Sequence, residues 1–187
     1  YSYTVFAVNL NIGGIGDGTT NETSTVQTAL TDCSANSKTC VVESGKNYRI
    51  TGPVYMYGAA NLTCTDSTSK ITLDIGTTKY PFQIGLSSSL TSAAAWTGTI
   101  SNCTFIISGG TVAGRMLWLA RSSGATITGN KFYPSNYTYS FTGSGVDATY
   151  LVGAGNYIRS NLTITNNEIA ANANDAGSEG IGLEGFS

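Results

Sequence analysis

Short apolar runs alternating with Ser, Thr and Asn fill most of this chain, and a single stretch follows a helical period. After the turn Gly14-Ile15-Gly16-Asp17-Gly18, residues 21–30 place Val26, Ala29 and Leu30 on one face, four-residue spacing being that of one helix side. Asn21 is expected to cap this helix, with Glu22 in its positive first turn. A helix so short and one-sided would plug the end of something rather than join a bundle. Beyond it the alternation predicts strands over 40–43, 48–50, 53–57, 61–64, 70–74, 100–107, 115–120, 125–128, 162–165 and 180–183. Turns of Gly, Ser, Asn and Thr separate them. Longer loops are expected over 76–98 and 133–149.

A recurrence organises these strands. Ile100-Ser101-Asn102-Cys103-Thr104-Phe105, Ile127-Thr128-Gly129-Asn130-Lys131-Phe132 and Ile164-Thr165-Asn166-Asn167-Glu168-Ile169 share one form. Each has Ile, a hydroxyl residue, three small or polar positions, then Phe or Ile. A strand that turns a tight corner while keeping its core side inward needs this pattern, because Asn and Gly tolerate the left-handed backbone of such a corner. The copies begin 27 and 37 residues apart, one turn of a solenoid plus variable loops. A sandwich of hairpins should instead show Asn-Gly or Asp-Gly turns at steady spacing, and the only such pair, Asp17-Gly18, leads into the helix. The fold class expected is all-β: a right-handed parallel β-helix, one domain over 1–187. Residues 1–35 supply a first strand, turn and capping helix, and 36–187 supply the coils.

Composition narrows the function. Of 187 residues 11% are charged, against about 25% in an ordinary soluble domain. Twenty-one Ser, 27 Thr and 15 Asn take their place, while 41% apolar residues still provide a core. A net charge of −2 with no basic run argues against a nucleic-acid partner. No apolar run is long enough for a membrane span. The chain has no His, which removes the commonest general base and the commonest zinc ligand. It opens on Tyr1 without Met, as a mature secreted chain or a fragment would.

Residues 16–23, the helix, and Cys40-Val41-Val42-Glu43-Ser44-Gly45-Lys46-Asn47-Tyr48-Arg49-Ile50 together resemble the opening of pectate-lyase-like proteins. In that family a G-D-G turn and capping helix close the N-terminal end of a right-handed parallel β-helix. Asn21-Glu22 stands where the family has an acidic pair, and Glu43-Ser44 where it has Pro-Ala. The resemblance implies a fold shared by phage tailspikes, polygalacturonases and alginate epimerases, and leaves the activity open.

The catalytic signatures of those enzymes are missing: Asn-Thr-Asp, Asp-Asp, Gly-His-Gly, Arg-Ile-Lys and Asp-Pro-His-Glu have no match. A glycosidase needs two carboxylates about one bond. Asp66 with Asp74, or Glu168 with Glu184, are the pairs that could converge across coils. Arg115, Arg121, Lys131 and Arg159 are the cations read as available to a lyase, and solvated strand-edge positions are the plainer reading of each. No catalytic residue, metal site or cofactor is therefore expected. The glycine-rich 13–18 lacks the Lys-Ser/Thr of a phosphate loop, and Asp17, Asn21 and Glu22 lack the pattern of a calcium loop.

Four cysteines without a CxxC pattern suit two disulfides. Cys33–Cys40 would close a short loop and Cys64–Cys103 would bridge distant coils, although four cysteines allow three connectivities and reduced thiols are the alternative. Asn102 is read as outward and Cys103 as inward, and Cys64, like Ile164, as outward unless a corner shifts the phase. N-glycans are expected on the sequons at Asn61, Asn102, Asn136 and Asn161, with Asn21 kept for the helix cap. About four sequons would arise by chance in so Asn- and Thr-rich a chain, so their number alone carries little. Tyr133, Tyr137 and Tyr139 in an aromatic loop, with Trp96 and Trp118, are the expected contacts for sugar or partner. The outer side of Met116-Leu117-Trp118-Leu119 is expected to be covered by the 76–98 loop with Trp96, the alternative being a neighbouring chain.

Residues 180–187 read as the first strand of a further coil, leaving an open end. The function expected is a secreted, non-catalytic structural protein that self-associates by stacking into a homopolymer, a filament or surface appendage. The alternatives are the N-terminal part of a polysaccharide lyase or hydrolase, or a tailspike-like module that binds carbohydrate.

Overall fold

The computed structural model describes residues 8–74, 81–87, 95–108, 117–134, 149–151, 159–169 and 181–183. The chain opens with β1 (Asn9–Asn11) and β2 (Asp17–Asn21), then the helix α1 (Thr23–Asn36). Three strands follow, β3 (Thr39–Val42), β4 (Asn47–Ile50) and β5 (Val54–Met56). The same triplet recurs as β6 (Asn61–Cys64), β7 (Lys70–Asp74) and β8 (Phe82–Ile84). It recurs again as β9 (Thr99–Ser101), β10 (Thr104–Ser108) and β11 (Leu117–Leu119), followed by the short β12 (Ser122–Ser123). Then come β13 (Thr126–Thr128), β14 (Lys131–Pro134), β15 (Thr149–Leu151) and β16 (Arg159–Ser160). The last described triplet is β17 (Thr163–Thr165), β18 (Glu168–Ile169) and β19 (Ile181–Leu183).

Successive strands visit three sheets in turn. The first sheet runs β1-β3-β6-β9-β13-β17, the second β2-β4-β7-β10-β14-β18, the third β5-β8-β11-β15-β19, and β12 pairs with β16. Every pairing is parallel. The protein is thus mostly β, in parallel sheets with one helix among the described residues.

Period-two alternation gives each strand one inward side, and register stacks like on like. In the first sheet Leu10, Cys40, Leu62, Ile100, Ile127 and Ile164 form one inner column. The second sheet stacks Tyr48, Ile71, Phe105 and Phe132. Phe105 and Phe132 lie nearly parallel, centroids 5.3 Å apart, and Phe82 of the third sheet meets Phe105 edge-on at 6.2 Å. Each such aromatic pair adds about 0.5–1.5 kcal/mol to the area it buries. Helix α1 closes one end of this core with Val26, Ala29, Leu30 and Cys33, packing mainly on β5.

The corners follow the recurrence. Asn102, Gly129 and Asn166 all have positive φ at the turn from first to second sheet, which is why only Asn or Gly stands there. The next position points inward. Asn130 is fully buried, accepting from the Cys103 N–H at 3.0 Å and donating to the Ile100 carbonyl at 2.9 Å. Asn167 repeats this one coil on, its Oδ1 accepting from the Asn130 backbone N–H at 2.9 Å and side chain at 3.0 Å, its Nδ2 donating to the Ile127 carbonyl at 2.9 Å. Stacked amides thereby satisfy the backbone groups that each corner removes from the ladder.

Several expectations need correction. The 100–107 strand is two strands, β9 and β10, parted by the corner at Asn102-Cys103. The 76–98 loop contains β8, a full member of the third sheet. Of the 133–149 loop, β14 takes up the start as far as Pro134 and β15 begins at Thr149, while 135–148 lie outside the described residues. No phase shift is needed at Cys64: it lies two residues from Leu62, shares its inner side and is 4% exposed. Ile164 likewise faces the core with Leu162. The cysteines form two disulfides, Cys33–Cys40 with Cα atoms 6.0 Å apart and Cys64–Cys103 with Cα atoms 4.9 Å apart.

The helix is longer than its pattern, ending at Asn36. Its last turn is held by the Cys33–Cys40 bond and by the left-handed cap residue Ser37, the Cys33 carbonyl accepting from the cap N–H and from the Lys38 N–H at 2.9 Å. At the other end Glu22, not Asn21, is the cap residue, and its carboxylate makes no cap bond. Asn21 stands one place earlier and accepts from the Thr23 N–H at 3.1 Å and hydroxyl at 2.7 Å.

Candidate functional site

The turn before the helix is clamped by carboxylates. Glu22, 4% exposed, accepts from the backbone N–H of Ile15 at 2.6 Å and of Gly16 at 2.9 Å. Glu43 accepts from the Gly13 N–H at 3.1 Å and from the Tyr48 hydroxyl at 2.7 Å. Burial, then the neighbouring Glu43, pushes the Tyr48 phenol above the ordinary tyrosine range. Gly14 is required here by close approach: a Cβ would sit 2.1 Å from a Glu22 oxygen and 2.8 Å from the Tyr48 ring. These acids hold a turn and leave no free carboxylate pair.

Asp66 and Asp74 do not act as a pair. Asp66 caps the turn between β6 and β7, accepting from the Thr68 N–H at 2.8 Å and from the hydroxyls of Ser44, Thr68 and Ser69. These bonds, the Ser44 hydroxyl first, pull its carboxyl down to about 2. Asp74 instead receives the Arg49 guanidinium, Nε at 3.1 Å and Nη2 closer still, while Nη1 donates to the Thr19 carbonyl at 2.8 Å. Arg49 and Lys70, which the set of cations read from sequence left out, both sit on strands of the second sheet. The Tyr-x-Ile alternation around Arg49 was the available signal for its outward placement. Arg115 and Glu184 lie outside the described residues.

The outer side of the second sheet also joins Lys131, Tyr133 and Glu168. The Lys131 ammonium stands 3.2 Å from the Glu168 carboxylate, with the two residues aligned on β14 and β18. The Tyr133 hydroxyl first, then Lys131, holds the Glu168 carboxyl below its usual range. The bond to Glu168 raises both Lys131 and Tyr133. Every shift moves its group away from neutrality, the opposite of what a general acid or base at neutral pH needs. This triplet is chemically a fixed ion cluster.

The expected aromatic contacts divide. Trp96 is fully buried and its indole N–H donates to the Ala60 carbonyl at 2.8 Å, so it meets neither sugar nor partner. Its backbone is bridged to Ser122, and its side chain belongs to the core cluster. On β11, Leu117 and Leu119 point inward and Trp118 is half-buried outside, in register with Gln83 of β8 and Tyr150 of β15. Tyr133 is half-buried beside Glu168. Tyr137, Tyr139 and the sequon Asn136 lie outside the described residues. Of the other sequons, Asn102 and Asn161 are exposed at positive-φ corners. The Asn61 amide is tied into the first sheet, its Oδ1 accepting from the Thr99 N–H at 2.8 Å and its Nδ2 donating to the Thr39 hydroxyl at 3.3 Å.

Among the described residues no helix is long and apolar enough to cross a membrane, and no group of three metal-ligating side chains converges. Comparison with protein-family models, with curated proteins and with solved structures returns no match to this chain.

Proposed function

We propose that this chain is a right-handed parallel β-helix of the pectate-lyase-like type, and that it serves as a non-catalytic, extracellular structural subunit whose copies stack into a filament or surface appendage. The observation that carries the reading is the like-on-like stacking of parallel strands through three sheets, a pairing that strands of a further copy can extend by the same hydrogen bonds. A charge-poor, hydroxyl-rich composition and two disulfides suit life outside the cell. N-glycans fit best at Asn102 and Asn161, whereas Asn61 would first have to release Thr39.

Electron microscopy of the secreted material, with the intact subunit mass, tests the reading. Regular fibres built from a chain of about this peptide mass plus glycan are expected. Dispersed particles of a much longer polypeptide would overturn it. The second reading, a carbohydrate-active protein, draws on the cations and carboxylates gathered on the second sheet at Arg49, Asp74, Lys131 and Glu168. Cleavage of an anionic polysaccharide, abolished by Lys131→Ala, would favour it.

A further inference from the structure

The outer side of the first sheet carries no charge on any of its six strands. Six strands in unbroken register present two columns of outward side chains, twelve positions in all. Seven are Thr, among them Thr39, Thr63, Thr126, Thr128, Thr163 and Thr165, and the remainder are Asn and Ser with one Val. The ion pairs of the protein's strands, Arg49–Asp74 and Lys131–Glu168, lie on the second sheet instead.

We propose that this face binds ice. Parallel strands repeat at about 4.8 Å across the sheet, and alternate residues at about 6.7 Å along it. These two orthogonal repeats are close to those between equivalent oxygens on the prism face of hexagonal ice. Hydroxyls alone would not distinguish solid from liquid water, since both solvate them. A fixed lattice of hydroxyl and methyl groups does, because it matches only water already held at lattice positions. Threonine supplies both groups on a side chain stiff at χ1. Bonds along the columns hold the array further: Thr165 to Thr128 at 3.1 Å, Ser101 to Thr63 at 3.1 Å and Asn61 to Thr39 at 3.3 Å. Such preorganisation lowers the entropy lost on binding. A neutral face also complements a neutral lattice, whereas an anionic polymer would be drawn to the cations of the second sheet. A sugar chain would be gripped by stacked rings, which this face lacks.

The test is thermal hysteresis and ice recrystallisation on the purified chain, made without glycan. The unaltered protein is expected to shape ice crystals and hold a hysteresis gap. Thr128→Lys, on β13 where the threonines are densest, should cut that gap by about tenfold or more, since an unpaired ammonium pressed against ice is poorly solvated. Thr19→Lys, exposed on β2 of the second sheet, adds the same charge away from this face and should change nothing. Circular dichroism confirms that both variants are folded. Absence of hysteresis and of crystal shaping in the unaltered protein overturns the proposal, and so does full activity in Thr128→Lys. Light scattering that shows Thr128→Lys splitting a dimer, with ice assays blank, would make the face a contact between copies and also overturn it.

Discussion

Replacing Asn130 by Ala tests the physical account of the corners. The Asn130 side chain is fully buried and bonds the Cys103 N–H at 3.0 Å, the Ile100 carbonyl at 2.9 Å and the Asn167 amide oxygen at 3.0 Å. Alanine keeps the backbone bond from Asn130 to Asn167, so Asn167 Oδ1 retains one donor. The Cys103 N–H loses its acceptor and the Ile100 carbonyl loses this donor, and each buried bond left unmade costs about 1–3 kcal/mol. The expected loss is therefore about 2–6 kcal/mol, a large share of a typical domain's stability. Urea denaturation followed by far-ultraviolet circular dichroism, disulfides intact, reads it directly. Asn167→Ala should cost less, because its side chain is only half-buried and serves one carbonyl and Asn130. Asn102→Gly should be near neutral, since Asn102 is exposed and Gly accepts its positive φ. A loss below about 0.5 kcal/mol for Asn130→Ala would refute the reasoning, because it would mean the corner finds its partners without the amide.

Three further outcomes are expected. Opening Cys64–Cys103, whose ends are 39 positions apart, by paired Ser substitution should cost about 4 kcal/mol and opening Cys33–Cys40, 7 positions apart, about 2.5, by loop-closure entropy; a reversed order in denaturant midpoints would count against that account. Gly14→Ala must displace the Glu22 carboxylate from the Ile15 and Gly16 N–H groups and should cost about 3 kcal/mol or more, so a variant with an unchanged melting curve would show that the clamp is dispensable. The folded-state Asp66 carboxyl is lowered to about 2 from 3.8. Its stabilisation is present above the unfolded value and is lost as pH falls through the folded one. Denaturant midpoints should thus drop between pH 4 and pH 2, and Asp66→Asn should flatten that part of the profile.

What could be read from sequence is what repeats. Ile100, Ile127 and Ile164 stack on one another in register, as do Phe105 and Phe132, so the recurring corner was visible because identical surroundings select similar residues. Strands without a repeating partner escaped notice. In β8, Phe82-Gln83-Ile84 is a three-residue strand within a Gly- and Ser-rich stretch, and its order comes from lying between β5 and β11 rather than from its own propensity. β14 resembled an aromatic loop because Pro134 ends it. Trp96 looked like a surface ring, since nothing local tells that its N–H will find the Ala60 carbonyl 36 residues back. The helix tail over Thr31, Asp32, Ser34 and Asn36 is poor in helix formers, and a disulfide plus packing on β5 holds it. The second-sheet cluster could not be foreseen, because Lys131 and Glu168 become neighbours only when two strands of unequal spacing align.

The turn from first to second sheet is two residues long in each of the last three described triplets: Asn102-Cys103, Gly129-Asn130 and Asn166-Asn167. Among these three triplets all variation in rung length is carried by the other connections, whereas the earlier turns from first to second sheet, 43–46 and 65–69, are longer. Along this stretch one seam is indexed like the teeth of a rack, and the remaining seams are free to lengthen. Insertion of a single residue into the indexed seam would send every following side chain of that strand to the wrong side. New sequence spliced into the connections after the second-sheet strands would leave the index untouched. The architecture separates the part of the chain that keeps count from the part that can change.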